Sequence, residues 1–341
     1  MTFAQHLIAA WGSRGWLARM LWPCSLLFAG LSALRRLMYR RGWLTSIQAP
    51  VPVVVVGNVY VGGTGKTPLV IWLVEQLRRQ GMVPGVISRG HGAEPKGDGQ
   101  RPAIEHVDAD SDPRRVGDEP LLIAQRTGCP VTIGRDRAAA AQALHAAHPE
   151  VTVIISDDGL QHYRLRRDLE IVLFDQRGIG NGWLLPAGPL REAPGRARDV
   201  TVVNGAGLPH GVAPDAVHME LVGVSAWQLV ERSRVTPLHA LQGPILAAAG
   251  IGNPERFFAM LRAQGLTIST LALPDHYDFA VNPFAHSAAA VILLTEKDAV
   301  KCVRIDGIKN DPRLWVVPVT AQLGGALAEL IVEKLRGYPI A

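Results

Sequence analysis

Short apolar runs alternate with helix-period stretches along most of the chain. Val53 to Val56 is a run of four β-branched residues, and further runs lie at Met82 to Ser88, Val131 to Gly134, Val151 to Ile155, Ile171 to Phe174 and Val200 to Val203. Uninterrupted runs of this kind suit strands buried on both faces of a parallel sheet. Between them fall helical stretches: PLVIWLVEQLRRQG from Pro68, LLIAQRTG from Leu121, and the Ala-rich Ala138 to Ala147. The alternation predicts an α/β domain with a doubly wound parallel sheet, whose ligands bind beyond the carboxyl ends of the strands. A polar loop rich in Gly, Asp and Pro is expected from Glu94 to Arg115.

Beyond Gly205 the pattern loosens into loops and short exposed strands, through Leu238. A second set of runs then begins, with strands at Ile245 to Ala249, Leu266 to Leu273, Val291 to Thr295 and Trp315 to Val319, and helices at Glu255 to Gly265 and Gly325 to Leu335. The Gly250-Ile251-Gly252-Asn253-Pro254 stretch holds only a fragment of a dinucleotide-binding pattern and reads as a tight strand-to-helix turn. A length of 341 residues, 48% of them hydrophobic, supports two cores. The expected division is an N-terminal arm over 1–45, a P-loop domain over 46–222 and a smaller α/β domain over 223–341.

The arm stands apart. Leu21 to Leu34 is uncharged and framed by Arg19 and by Arg35, Arg36, Arg40 and Arg41. It falls short of the roughly twenty apolar residues that span a bilayer, and its charges follow the run where a signal peptide carries them before it. The expectation is a helix lying in a membrane interface, with Trp11, Trp16, Trp22 and Trp43 at headgroup depth. The alternative is an ordinary core helix. Pro50 and Pro52 end it in either case.

The net charge of +5 does not point to nucleic acid. No acidic residue precedes Glu75, and seven basic ones do; removing those seven from 35 leaves 28 against 30 acids. The basic character belongs to the arm. Three cysteines, Cys24, Cys129 and Cys302, share no metal-ligand spacing and fit a reducing compartment.

The chemistry concentrates at VPVVVVGNVYVGGTGKT, Val51 to Thr67. Val61, Gly62, Gly63, Thr64, Gly65, Lys66, Thr67 and Pro68 form the candidate ATP-binding stretch. Its glycines let successive N–H groups face one anion, Lys66 reaches the β- and γ-phosphates, and Thr67 offers its hydroxyl to Mg²⁺. Tyr60 occupies the place where the usual spacing asks for glycine, so the loop is a variant. The apolar strand from Val151 runs into Asp157 and Asp158, which fits carboxylates emerging at a nucleotide to hold its metal. Gly117-Asp118-Glu119-Pro120 sets two more carboxylates ahead of a helix, and Glu119 is a further candidate ligand.

With these blocks in view, the chain resembles the tetraacyldisaccharide 4'-kinases, the lipid A 4'-kinases of Gram-negative bacteria. The resemblance runs end to end through VPVVVVGNVYVGGTGKTP, SRGHG, GDEP at 117–120, DDGLQH at 157–162, GNGWLLPAGPLRE at 180–192, PDHYDF at 274–279 and TEKDAVKC at 295–302. His91 departs from the tyrosine common in the family. The resemblance implies ATP- and Mg²⁺-dependent phosphorylation of the 4'-hydroxyl of an acylated glucosamine disaccharide 1-phosphate, at the cytoplasmic face of the inner membrane. It assigns Asp118 as catalytic base and His276 as its partner.

Because those two residues lie in different units, the pair is expected to form only on domain closure, about a hinge between Gly205 and Leu238. Arg89, Gln161 and Arg191 are candidate substrate contacts. Arg164, Arg166 and Arg167, with Arg191, could receive the substrate's phosphate bidentately. Thr295-Glu296-Lys297-Asp298 is a candidate adenine contact. The rival function is a membrane-associated P-loop ATPase switch of the partitioning type, but those carry an early second lysine where this chain has Val61. A GTPase is disfavoured because Thr295-Glu296 is not the Asn-Lys that reads guanine.

Overall fold

The computed structural model describes residues 10–90 and 104–336. His91, part of the expected polar loop and the first nine residues of the arm lie outside the described residues. The first unit is built on β1 (Val53–Gly57), β2 (Pro84–Ser88), β3 (Ile104–Val107), β4 (Val131–Gly134), β5 (Val153–Asp157), β6 (Leu169–Asp175), β7 (Val200–Asn204) and β8 (Val217–Val222). The strand order is β15-β8-β7-β6-β1-β5-β2-β4-β3, where β15 is Thr320–Leu323. β1, the valine run, sits centrally between β5 and β6, parallel to both, and every residue in it is buried. Pairing β1 with β5 sets Val56 beside Asp157, so the acid pair emerges next to the root of the glycine loop.

Helices α2 (Lys66–Arg79), α3 (Pro113–Val116), α4 (Asp118–Thr127) and α5 (Arg137–Ala147) cover the two faces. One core layer joins α2 and α4 to Val54, Val56, Ile155 and Ile171. The other joins Ala138, Ala141 and Leu144 of α5 to Val53, Val55 and Ile154. Alternate valines of β1 thus serve opposite cores, which is why the strand reads as an unbroken apolar run.

The second unit is a sheet of β10 (Val235–Pro237), β9 (Ser225–Gln228), β14 (Leu314–Val317), β13 (Val291–Thr295), β11 (Ile245–Ala249) and β12 (Ile268–Ala272) in that order. Helices α6 (Pro254–Ala263), α7 (Glu296–Cys302) and α8 (Asp306–Lys309) accompany it. The expected 223–341 domain needs correction at its end. After β14 the chain returns to the first sheet, where β15 pairs antiparallel with β8, and α9 (Ala326–Arg336) buries Leu327, Ile331 and Leu335 in the first unit's core. Without β15 the edge of β8 would be left with unpaired backbone groups. The chain therefore crosses between units twice, near Gly223 and near Pro318, where a single hinge was expected. β3, an antiparallel edge strand paired with β4, lies within the stretch read as loop.

Most of the described part of the arm is a helix, α1 (Trp16–Arg40), of 25 residues, with Pro23 inside it. This is longer than the uncharged run that marks it, and long and apolar enough by length and composition to cross a membrane. One side is fastened to the 181–187 loop: Ser25 Oγ donates to Leu184 O at 2.7 Å and accepts from Ala187 N at 2.9 Å. Trp22 packs on Trp183 with ring centroids 6.2 Å apart. Most of the rest is exposed, Leu27 and Leu31 by 66% and 58%. Trp11 is the exception to the predicted headgroup tryptophans; it is buried, with its indole N–H donated to Pro186 O.

Candidate active site

The glycine loop turns sharply at Gly65, whose φ of 101° lies in the left-handed region; a side chain there would also strike Asn204 Nδ2 at 2.4 Å. Glycine is thus required on both conformational and steric grounds. Lys66 opens α2, and its ammonium donates to Asn58 Oδ1 at 2.8 Å and lies 3.6 Å from Asp158 Oδ1. Asn58 also donates to the carbonyls of Tyr60 and Gly62, so one amide braces both the loop and its lysine. Tyr60, the departure from the usual spacing, is buried beneath the Arg177 guanidinium, 4.3 Å from its ring centroid. That guanidinium is itself held by three bonds to Asp175.

Beside the loop, between the two units, runs a cleft of about 150 Å³. Gly63 to Pro68 and Glu119 form one wall, and Gly252, Arg256, Phe257, Thr295, Glu296 and Lys297 line the other. The candidate adenine contacts therefore border the cleft, but their side chains are engaged elsewhere. Thr295 Oγ1 bonds Asp298, Glu296 takes two bonds from Arg126, Lys297 donates to Glu119 at 3.0 Å, and Asp298 accepts from Gly250 N. This segment clamps the second unit to the first.

The acid pair divides into two environments. Asp157 is buried, bonded through Oδ2 to Ser88 Oγ at 3.2 Å, with no partner for Oδ1 among the described residues. Burial, with the Glu119 charge, pushes its carboxyl up to about 7 against the opposing pull of Lys66. Asp158, in the left-handed region at φ 50°, is gripped by Arg191 at 3.0 Å as well as by Lys66. Burial would raise its carboxyl, but Lys66 and Arg191 outweigh that and hold it at about 2. Among the described residues, no three His, Cys, Asp or Glu side chains cluster as a self-sufficient metal site. A nucleotide-bound Mg²⁺ needs only one or two carboxylates beside phosphate oxygens, and the orphaned Asp157 oxygen is a hard ligand of that kind.

Asp118 and His276 meet across the units, with Nδ1 to Oδ2 at 3.0 Å. Asp118 Oδ1 accepts from Glu119 N, and Lys301 stands 3.4 Å from Oδ2. Burial works to raise the Asp118 carboxyl, but the His276 hydrogen bond and the charges of Lys297, His276 and Lys301 bring it down to about 2. His276 is shifted up, mainly by that same bond. The pair was expected to need domain closure; here it is already formed.

A larger cavity, about 660 Å³, opens between α1 and the acid pair. It gathers Arg89, Gln161 and Arg191, the three candidate substrate contacts, with Arg35, Arg36 and Phe28 of the arm. Gln161 bonds Glu192, and Arg191 is occupied by Asp158. Of the other arginines named as phosphate receivers, Arg164 pairs with Asp136 and Arg167 is spent on backbone carbonyls and Glu170. His162, also on this wall, is driven down to about 4 by burial and by Arg137 and Arg89, which keeps it neutral.

Residues 17–336 match the sequence profile of the tetraacyldisaccharide-1-P 4'-kinases. The chain belongs to that family. A tetraacyldisaccharide 4'-kinase of Janthinobacterium sp. (strain Marseille) is 60% identical over 344 residues, covering 99% of this chain and 97% of the relative. That of Herminiimonas arsenicoxydans is 58% identical over 354 residues, covering 100% and 98%. Among solved structures, LpxK from Aquifex aeolicus in complex with ATP superposes with a TM-score of 0.74 at 27% identity, over 94% of this chain and 99% of that one. The activity is that of the family, transfer of phosphate from ATP to the 4' position of the lipid A precursor, and the partitioning-type switch is set aside. Asn58, Arg177, Asn204 and Arg256, which brace the loop, were missed in sequence. Only Asn58, at the strand-to-loop junction, lay in a recognisable block.

Proposed function

We propose that the 4'-hydroxyl of tetraacyldisaccharide 1-phosphate is phosphorylated where the interdomain cleft meets the cavity under α1. The carrying observation is that Asp158 touches both Lys66 of the phosphate loop and Arg191 of that cavity, at 3.6 and 3.0 Å. A phosphate held by the loop would therefore face a sugar lodged in the cavity with one side chain between them. ATP takes the cleft, with its phosphates on Gly62 to Thr67.

Thr67, Asp157 and Glu119 are the residues that would hold Mg²⁺, which supplies charge neutralisation on the phosphate oxygens. Asp158 is better read as the counter-charge that keeps Lys66 and Arg191 aimed. Asp118, ionised at neutral pH, accepts the hydroxyl's proton. A carboxylate at about 2 is a weak base, and it suits a loose transition state in which positioning matters more than proton pull. His276 fixes the carboxylate's orientation.

The acceptor is a lipid, and α1 gives it an approach from a membrane surface. We place the protein peripherally at the cytoplasmic face of the inner membrane, with α1 in the interface. A helix with one face fastened to the body cannot be surrounded by lipid, and its arginines lie on the same segment as its exposed leucines. The deciding test is incubation with γ-labelled ATP and the acylated disaccharide 1-phosphate, with and without Mg²⁺. Label in the lipid only with Mg²⁺ is the expected result; label in free phosphate alone would contradict it.

A further inference from the structure

The Gly250-Ile251-Gly252-Asn253-Pro254 turn holds only a fragment of a nucleotide-binding pattern, yet it docks on the phosphate loop. A Cβ on Gly252 would lie 2.6 Å from Gly63 N, so only glycine permits this approach. Two residues past the end of the turn, Arg256 of α6 extends its guanidinium to two successive loop carbonyls. Nη2 donates to Gly63 O at 3.1 Å and Nη1 to Thr64 O at 2.9 Å. The first unit supplies a second donor to each: Arg177 to Gly63 O at 3.1 Å and Asn204 to Thr64 O at 2.8 Å.

In a trans peptide the carbonyl and the following N–H point in opposite directions. A cation fixed on the carbonyls of Gly63 and Thr64 therefore stands behind the N–H groups of Thr64 and Gly65. Among the described residues, neither of these N–H groups has an acceptor. Hydrogen bonding to a charged donor polarises each peptide and strengthens the donor at its other end. Arg177 is paired directly with Asp175, whereas Arg256 makes no salt bridge among the described residues and feels that carboxylate only at longer range.

We infer that Arg256 is a positioning residue through which the second unit orients and polarises the phosphate-binding N–H groups of Thr64 and Gly65. It makes nucleotide affinity depend on apposition of the two units without touching the reacting atoms. The inference rests on the reading of Gly62 to Thr67 as the phosphate cradle.

The test is equilibrium binding of ATP, ADP and AMP to the full-length enzyme and to R256A, R256K and R256Q, with melting curves on the same samples. R256A is expected to bind ATP and ADP about tenfold more weakly, the scale of a lost charge-assisted contact. AMP binding and melting temperature should hardly change, because Arg177 and Asn204 still support the loop. R256K should recover part of the loss and R256Q less, and in turnover the KM for ATP should rise while that for the lipid stays put. R256Q decides the matter should R256A fail to fold. Unchanged ATP affinity would overturn the inference, as would an equal loss for AMP and ATP accompanied by a lower melting temperature, which marks simple interface packing. A Lys66→Ala variant that still bound ATP would instead remove the cradle reading beneath it.

Discussion

Asp118 and His276 stand 158 positions apart in the chain and 3.0 Å apart in space, joined across two units by a bond that lowers one pKa and raises the other. The pair is thus a fastening as well as a candidate catalytic element. A His whose folded pKa exceeds its ordinary 6.5 stabilises the fold fully below that value. The contribution fades as pH rises through the folded value. Melting temperatures of the nucleotide-free enzyme and of His276→Asn should therefore differ most near pH 6 and converge in alkali. A gap that widened with pH would show the bond to be misassigned.

Lys66→Ala should abolish transfer and leave the fold intact. The lysine is bonded to Asn58 and faces Asp158, so its loss removes phosphate neutralisation without opening a core cavity. Circular dichroism and a turnover assay on one preparation suffice, and near-normal turnover would take the loop out of the mechanism.

Asp157 and Asp158 should respond differently to substitution. Asp157→Asn, which alters the oxygen left without a partner, is expected to raise the Mg²⁺ concentration needed for half-maximal rate by about tenfold or more. Asp158→Asn should leave the Mg²⁺ requirement nearly unchanged and weaken the hold on Lys66 and Arg191, lowering kcat. A Mg²⁺ titration of both variants checks this, and the reverse pattern would exchange the two roles.

Replacing Leu27 and Leu31 with Ser should release the protein from liposomes while sparing ATP binding and melting temperature. Both side chains are exposed, and each apolar side chain buried in lipid contributes about 1.5–3 kcal/mol. Phe28 is left alone because it lines the cavity. Salt should weaken attachment only in part, since screening acts on the arginines and leaves the apolar contribution. A fall in melting temperature without a change in flotation would make α1 a core helix.

The central sheet was legible because β1, β5 and β7 are buried along their whole length, so most of their residues are apolar. The glycine loop and the acid pair could be read for the same reason, as they sit at the ends of those strands. β15 and α9 fell in the wrong unit: the helix was read at Gly325 to Leu335, but Thr320–Leu323 was not read as a strand, and nothing local in it says which sheet edge it will complete. Arg256 was invisible for a related reason. An arginine in the first turn of an amphipathic helix is ordinary until the fold brings two loop carbonyls to it. The arm's limits were blurred because the uncharged run stops at Leu34, whereas the helix continues through its arginines to Arg40.

The central claim is that Asp118 serves the chemical step at a site assembled from both units. A single-turnover measurement on Asp118→Ala, mixing saturating ATP and Mg²⁺ with limiting acylated disaccharide 1-phosphate, tests it most directly. The transfer rate should fall by about a hundredfold or more, the usual worth of a general base, while ATP affinity measured on the same protein stays within about twofold, since an interaction made only in the transition state leaves binding unchanged. An unchanged transfer rate, or a slow rate fully explained by lost ATP binding, would contradict it.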